Sequence, residues 1–169
     1  MSLHPVAFEE LSPEILKVFS NQYALLTAGD KNSCNTMTIS WCQMGTLWGA
    51  PMCTVYVRPE RYTYQFMEAN GYFTVSVLPL EHKKTTLAYC GAKSGRDVDK
   101  VKECGLTLCY GQGDAPYFEE AEWVLVCKKV YAQEMAPDFS LDEEAVNSHY
   151  KSGCWHKVYI GQVVEVYKK

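Results

Sequence analysis

Short apolar stretches recur along the chain, and most of them predict β-strands. Segments 21–28 and 35–42 flank the turn formers of Gly-Asp-Lys-Asn and predict a hairpin. In the second arm, hydroxyl residues at even positions and apolar residues at odd positions fall on opposite faces, because strand side chains alternate. Further segments rich in Val, Ile, Thr or aromatic residues predict strands over 52–57, 72–78, 106–110, 122–133 and 156–167.

Other segments predict helices around these strands. Ser12-Pro13-Glu14 combines a cap hydroxyl, a proline and an acid, which is typical of a helix start. Helices are also predicted over 59–69, over 97–104 with Asp97 as the cap, over 141–150 and over 80–89. The pattern predicts one mainly β (α+β) domain over residues 1–169, a closed antiparallel barrel with peripheral helices.

Composition narrows the functional classes. A 169-residue chain with 47% hydrophobic residues is expected to be globular. Its net charge of -4 lacks the basic excess of a nucleic-acid binder. No signal-peptide pattern precedes residue 16, and no apolar run approaches the roughly 18 residues of a membrane span. We therefore expect a soluble cytoplasmic protein with neither nucleic acid nor membrane as a partner.

The 8 cysteines include no CxxC pair and are expected to be reduced core thiols. Zinc is the alternative, because Cys154 and His156, with His149 upstream, offer three possible ligands. No second short-spaced pair completes such a site, so no metal is expected.

Arg58 and Arg61 lie at the start of the predicted helix 59–69, where the helix dipole disfavours cations. They are three residues apart, so their guanidinium groups are expected to converge on unpaired backbone amides, beside the Thr63 hydroxyl. A bound phosphate would suit this arrangement.

The segment Ser94-Gly95-Arg96-Asp97-Val98-Asp99-Lys100 repeats the pattern. Gly95 permits a close backbone approach, and two cations flank the predicted cap. The alternative is that the basic residues of both segments are solvated or paired with neighbouring acids. Two such sites in an acidic chain favour one phosphorylated ligand.

Common nucleotide and hydrolase motifs are missing. Gly111-Gln112-Gly113 leads into Asp114-Ala115-Pro116, which does not continue a GxGxxG fingerprint. Neither GxxxxGK[ST] nor GxSxG occurs. A phosphate site beside the hydroxyl-rich strand 35–40 remains, which suits a flat heteroaromatic ligand.

Five blocks resemble the flavin reductase-like, FMN-binding split-barrel family, and its flavoredoxin branch in particular. They are NTMTISW at 35–41, VRPERYT at 57–63, FTVSV at 73–77, CG at 90–91 with SGRDVDK at 94–100, and HKVYIG at 156–161. The resemblance implies a six-stranded antiparallel split barrel with Greek-key topology. It also implies FMN as cofactor and a homodimer with FMN near the interface.

The resemblance implies FMN contacts from three segments, with strand 35–41 along the isoalloxazine edge, 58–63 at the phosphate and 90–100 as a second loop. The candidate cofactor-binding residues are Asn35, Thr36, Met37, Thr38, Ser40, Trp41, Arg58, Arg61, Tyr62, Thr63, Cys90, Gly91, Ser94, Gly95, Arg96 and Lys100. His156 matches a histidine near the flavin and is the candidate catalytic residue, with a structural role as the alternative. Trp155 departs from the family pattern. Cys90 is expected to be a loop residue without a second cysteine poised to pair with it.

The implied function is an oxidoreductase that transfers hydride from NAD(P)H through FMN to a flavin or another electron acceptor. One alternative is a flavoredoxin-like electron carrier that a protein donor reduces. Another is a non-redox FMN-binding protein. A shared fold does not decide among them.

Overall fold

Ten β-strands, four α-helices and further helical residues at 18, 19 and 21 occur in residues 2–11, 18–19 and 21–169, the part of the chain that this computed structural model describes. The strands are β1 (His4–Val6), β2 (Ala24–Gly29), β3 (Cys34–Ile39), β4 (Cys42–Leu47), β5 (Ala50–Val57), β6 (Tyr72–Val77), β7 (Leu108–Tyr110), β8 (Pro116–Phe118), β9 (Trp123–Glu134) and β10 (Lys157–Lys168). The helices are α1 (Thr63–Ala69), α2 (Thr86–Ala92), α3 (Lys100–Glu103) and α4 (Glu143–His149). Short 3-10 helices lie at Phe8–Glu10, Leu80–Lys84, Gln112–Asp114 and Pro137–Phe139.

Eight strands form one antiparallel sheet in the order β3-β2-β6-β9-β10-β5-β4, with β1 paired to the end of β10. β3 and β4 are at opposite ends of this order, yet only Ser40 and Trp41 separate them in the chain. Because consecutive Cα atoms are about 3.8 Å apart, Ile39 and Cys42 lie within about 11 Å of each other. The sheet is therefore curled into a barrel.

The barrel core collects side chains from both ends of the strand order. Met37 of β3 and Val55 of β5 belong to one buried cluster, and Cys42 of β4 packs against it. Along β2 the alternation is strict, since Leu26 faces this cluster and Leu25 faces a second one. The second cluster lies outside the barrel, where α2 and β8 cover β2 and β9.

The predicted fold class is confirmed, including the Greek-key connection, in which the path from β5 to β6 crosses the positions of β10 and β9. The predicted strand number is wrong, because the main sheet has eight strands instead of six. β1 has only three residues, and β4 is an edge strand with Gly45 and several exposed positions, so neither has a clear apolar pattern. The predicted strand 106–110 forms β7, which pairs with β8 in a separate ribbon.

Two helices begin later than predicted. α1 starts at Thr63, after a turn in which the Arg61 N–H donates to the Arg58 carbonyl. α3 starts at Lys100, and its capping side chain is Asp99 instead of Asp97. The predicted helix over 141–150 is α4, and 80–89 divides between a 3-10 helix and α2. The helix predicted from Ser12 lies outside the described residues.

Within the described part of the chain, no helix is long and apolar enough to cross a membrane.

We expect Gly161→Ala to destabilise the barrel by about 1–3 kcal/mol. A Cβ at Gly161 would lie 2.6 Å from the Phe73 ring and 2.7 Å from Cys127 Cβ, inside the closed core. Gly45→Ala is the matched strand control, because a Cβ there meets nothing within 4 Å. Urea unfolding measures both, and equal stabilities would contradict the packing at Gly161.

Candidate functional site

Two adjacent cavities lie where the loop before α1 meets α2 and α3. The smaller has a volume of ≈ 140 Å³ and contains four cationic side chains and one carboxylate among its lining residues. The larger has a volume of ≈ 560 Å³ and extends between the β2–β3 turn and the loop before α3. Both cavities are lined by Asn35, Tyr62, Arg96 and Lys100.

Lys100 is a buried cation at the junction of both cavities, with 4% of its surface exposed. Its Nζ donates to the carbonyl of Thr36 at 2.8 Å and to the carbonyl of Cys90 at 2.9 Å. An ammonium has three N–H donors, so one remains for a ligand. Burial lowers the pKa of Lys100, and the neighbouring Arg61 lowers it further.

Arg61 and Arg96 flank the smaller cavity. Arg61 Nη2 donates to the Gly91 carbonyl at 3.3 Å, and Arg96 Nη1 donates to the Glu60 carbonyl at 3.3 Å. The Arg96 guanidinium also lies 5.0 Å from the centre of the Tyr62 ring. Burial lowers the pKa of Arg61.

Carbonyl oxygens, not carboxylates, hold these three cations. In the described residues, Arg61, Arg96 and Lys100 take part in none of the salt bridges. Carbonyls carry partial charge only, so these hydrogen bonds do not neutralise the three side chains, and Glu60, the carboxylate of the smaller cavity, pairs with Arg58 at 3.7 Å. An anion would therefore gain charge-assisted hydrogen bonds here.

The start of β3 forms the floor of the site. Asn35 Nδ2 donates to Thr63 Oγ1 at 2.8 Å, which joins β3 to α1. A Cβ at Gly95 would lie 1.9 Å from Asn35 Oδ1, so only glycine lets the loop pass this close to the strand. Arg96 N donates to Ser94 Oγ at 3.2 Å and shapes the same loop.

The β3 residues that were predicted to contact the flavin ring lie on both faces of the strand, some inside the barrel and some outside it. Met37 is in the barrel core, on the opposite face from the threonines. Thr36 Oγ1 lies within hydrogen-bond distance of the Leu26 carbonyl, and Thr38 Oγ1 donates to the Leu87 carbonyl of α2 at 2.6 Å. Both hydroxyls are thus engaged within the protein, and α2 covers this face of the strand.

Arg58 does not converge with Arg61, contrary to the prediction. Its Nη2 donates to the His149 carbonyl at 2.6 Å, and its guanidinium lies 5.7 Å from the Tyr150 ring centre. The physical reason is the turn before α1, which separates the two side chains and leaves neither in the first turn of a helix.

Trp41 and His156 form a second aromatic group beside Arg58. The centres of their rings are 4.7 Å apart, and the His149 ring lies 5.1 Å from Trp41. Trp41 thus packs on histidine side chains at the connector that closes the barrel. Ser40, the other connector residue, is half-buried.

His156 Nδ1 lies 2.9 Å from the Tyr150 hydroxyl, and Tyr150 stacks on Trp155 at 4.0 Å. Burial lowers the pKa of His156 to about 4, and the Arg58 cation contributes in the same direction. The imidazole is therefore neutral at pH 7, and its contacts with the Tyr150 hydroxyl and the Trp41 ring favour a structural role. No sequence pattern indicates Tyr150, because its hydrogen bond to His156 depends on how α4 packs.

Cys90 differs from its prediction in two ways. It lies in α2 instead of a loop, and its Sγ is 3.9 Å from Sγ of Cys104, whereas no close second cysteine was expected. The spacing of 14 residues in the chain gave no sign of this contact. Among the described residues, no cluster of three His, Cys, Asp or Glu side chains could hold a metal.

A family model described as flavin reductase like domain matches residues 16–169. The chain belongs to the flavin reductase-like family. None of the curated proteins compared matches this chain.

Solved structures share the fold. Flavoredoxin from Methanosarcina acetivorans is 24% identical, with a TM-score of 0.69, over 88% of this chain and 68% of that one. An FMN-binding domain of a flavin reductases-like enzyme from Shewanella baltica is 19% identical, with a TM-score of 0.67, over 98% of this chain and 76% of that one. An FMN-binding protein from Thermus thermophilus with bound p-hydroxybenzaldehyde is 20% identical, with a TM-score of 0.68, over 87% of this chain and 71% of that one.

The residues around the cavities fit a phosphorylated cofactor such as FMN. Lys100 retains an N–H donor, and the Arg61 and Arg96 side chains have no carboxylate partner in the described chain. The larger cavity, ≈ 560 Å³, is within the usual range for a ligand pocket.

We expect the stability of the protein to fall between pH 6.5 and pH 4 partly because of His156. In the unfolded chain the His156 imidazole has a pKa near 6.5, whereas in the folded protein its pKa is about 4. The contribution of His156 to the free energy of unfolding is thus complete above pH 6.5 and is lost as the pH decreases from 6.5 to 4. NMR titration of the His156 ring measures the folded pKa.

His156→Gln is the matched variant, and its unfolding free energy should decrease less over the same range. A His156 midpoint near pH 6.5 would contradict the prediction.

Proposed function

We propose that this chain binds FMN in the two adjacent cavities around Lys100 and acts as an FMN-dependent oxidoreductase. The observation that carries the proposal is the buried Lys100, which has one remaining donor beside Arg61 and Arg96. Membership of the flavin reductase-like family supports FMN as the ligand.

Lys100, Arg61 and Arg96 would hold the phosphate, with the Ser94 hydroxyl beside them. When bound, FMN supplies two-electron redox chemistry, since it can accept a hydride and pass electrons to an acceptor. The protein holds its donors in place before binding, because Lys100 is anchored on β3 and α2. The loss of side-chain conformational entropy on binding is therefore small.

We further propose NAD(P)H as the electron donor and a flavin or another small molecule as the acceptor. The homodimer that the resemblance implies stays a prediction, and light scattering in solution would measure the molar mass.

We expect Arg61→Gln to weaken FMN binding by about 10- to 150-fold. Loss of a charge-assisted contact costs about 1.5–3 kcal/mol, and 1.4 kcal/mol corresponds to a factor of ten. Titration of FMN fluorescence with the protein measures the affinity. Arg58→Gln is the matched control, because Arg58 lines neither cavity and contacts His149, Tyr150 and Glu60. Equal losses in both variants would contradict the assignment of Arg61.

We expect NADH or NADPH to bleach the absorbance of bound FMN near about 450 nm under anaerobic conditions. Stopped-flow mixing measures the rate. Bound FMN that remains oxidised with either nucleotide would contradict NAD(P)H as the donor and favour an electron carrier that a protein reduces. A chain that binds no FMN would contradict the proposed function as a whole.

A further inference from the structure

The Cys90 and Cys104 thiols lie next to the candidate site, with their Sγ atoms 3.9 Å apart. Cys90 lies in α2, and Cys104 is the C-cap of α3. Lys100 anchors both cysteines, since its ammonium donates to the Cys90 carbonyl and its own carbonyl accepts from the Cys104 N–H at 3.1 Å. The hydrogen bonds of the fold therefore maintain the approach of the two thiols.

We propose that Cys90 and Cys104 form a reversible disulfide that closes the segment 90–104 into a ring. Five residues that line the candidate site lie between the two cysteines: Gly91, Ser94, Gly95, Arg96 and Lys100. The formation of the disulfide does not rest on the proposed function, whereas its effect on ligand binding rests on FMN being the ligand.

A peroxide can supply the oxidising equivalents. Cys104 is half-buried and Cys90 is fully buried, so Cys104 is the accessible sulfur. Its thiolate attacks hydrogen peroxide, which yields a sulfenic acid and releases one water. The Cys90 sulfur then displaces the second water and forms the S–S bond, so that two thiols and one peroxide give a disulfide and two waters.

To form an S–S bond of roughly 2.05 Å, the two sulfur atoms must approach each other by about 2 Å from their separation of 3.9 Å. Gly105 follows Cys104 and has φ +61, so the chain leaves α3 at this point. Burial raises the pKa of Cys90 to about 12 and also raises that of Cys104. A raised pKa leaves little thiolate at neutral pH, so we expect the disulfide to form slowly.

A second pair of thiols is closer but has unsuitable backbone geometry. Cys42 and Cys53 have their Sγ atoms 3.5 Å apart on β4 and β5. The register places Cys42 opposite Val55 and Cys53 opposite Met44, so the two cysteines are diagonal neighbours. Diagonal Cα atoms are about 7–8 Å apart, beyond the about 4.4–6.8 Å that a disulfide usually spans.

The test is peptide mapping without reduction after treatment with hydrogen peroxide. Trypsin should release the peptide 85–93, which contains Cys90, linked to the peptide 103–128, which contains Cys104. Dithiothreitol should separate them. The link should be lost in Cys104→Ser and retained in Cys109→Ser, a matched control in the same peptide. No such link, or one that persists in Cys104→Ser, would overturn the proposal.

Thermal unfolding gives a second readout. A ring of 15 residues should raise the Tm of the oxidised protein by about 6–12 °C, because the link restricts the unfolded chain. Cys104→Ser should show no such increase after the same treatment. An unchanged Tm in the oxidised wild-type protein would overturn a disulfide compatible with the fold.

The effect on the site is measured by the FMN affinity of both forms. We expect the oxidised form to bind FMN about threefold more tightly or better, because the ring preorganises the loop. Equal affinities would overturn the regulatory role. If neither form binds FMN, the proposed function fails, whereas the peptide map still decides whether the disulfide forms.

Discussion

The candidate site depends on the buried ammonium of Lys100. It joins the Thr36 carbonyl on β3 to the Cys90 carbonyl on α2, two elements that belong to different layers of the structure. A buried cation is costly unless hydrogen bonds replace its water, and the two carbonyls replace only part of it. The remaining donor is available to a ligand in the adjacent cavities.

The charge of the site follows from how its cations are held. Arg61 and Arg96, like Lys100, donate to backbone carbonyls, so they are oriented without being neutralised. A carboxylate partner would have oriented them equally well but would have removed the attraction for an anion. By contrast, Lys157 pairs with Glu68 at 2.8 Å on another side of the barrel, where the pair stabilises the packing of α1 on β10.

Much of the fold could be predicted from the sequence, because strand alternation depends on neighbouring residues. Met37 and Ile39 point into the core as their spacing indicates. Local helix rules were less reliable: Asp97 and Asp99 are equally good caps by residue type, and the structure shows that Asp99 accepts the capping hydrogen bond from Lys102 N–H. Arg58 and Arg61 share a motif, yet the turn between them directs one to α4 and the other to α2.

The sequence by itself determined the family, the barrel class and the segments that carry the site, because motifs and periodicity are local properties of a chain. The tertiary structure alone decided which members of those segments meet. The pairs Cys90–Cys104 and Tyr150–His156, and the carbonyls that hold Lys100, bring together groups from separate elements. Such contacts arise from the closure of the barrel and the packing of helices on it, and no spacing in the sequence encodes the distance between them.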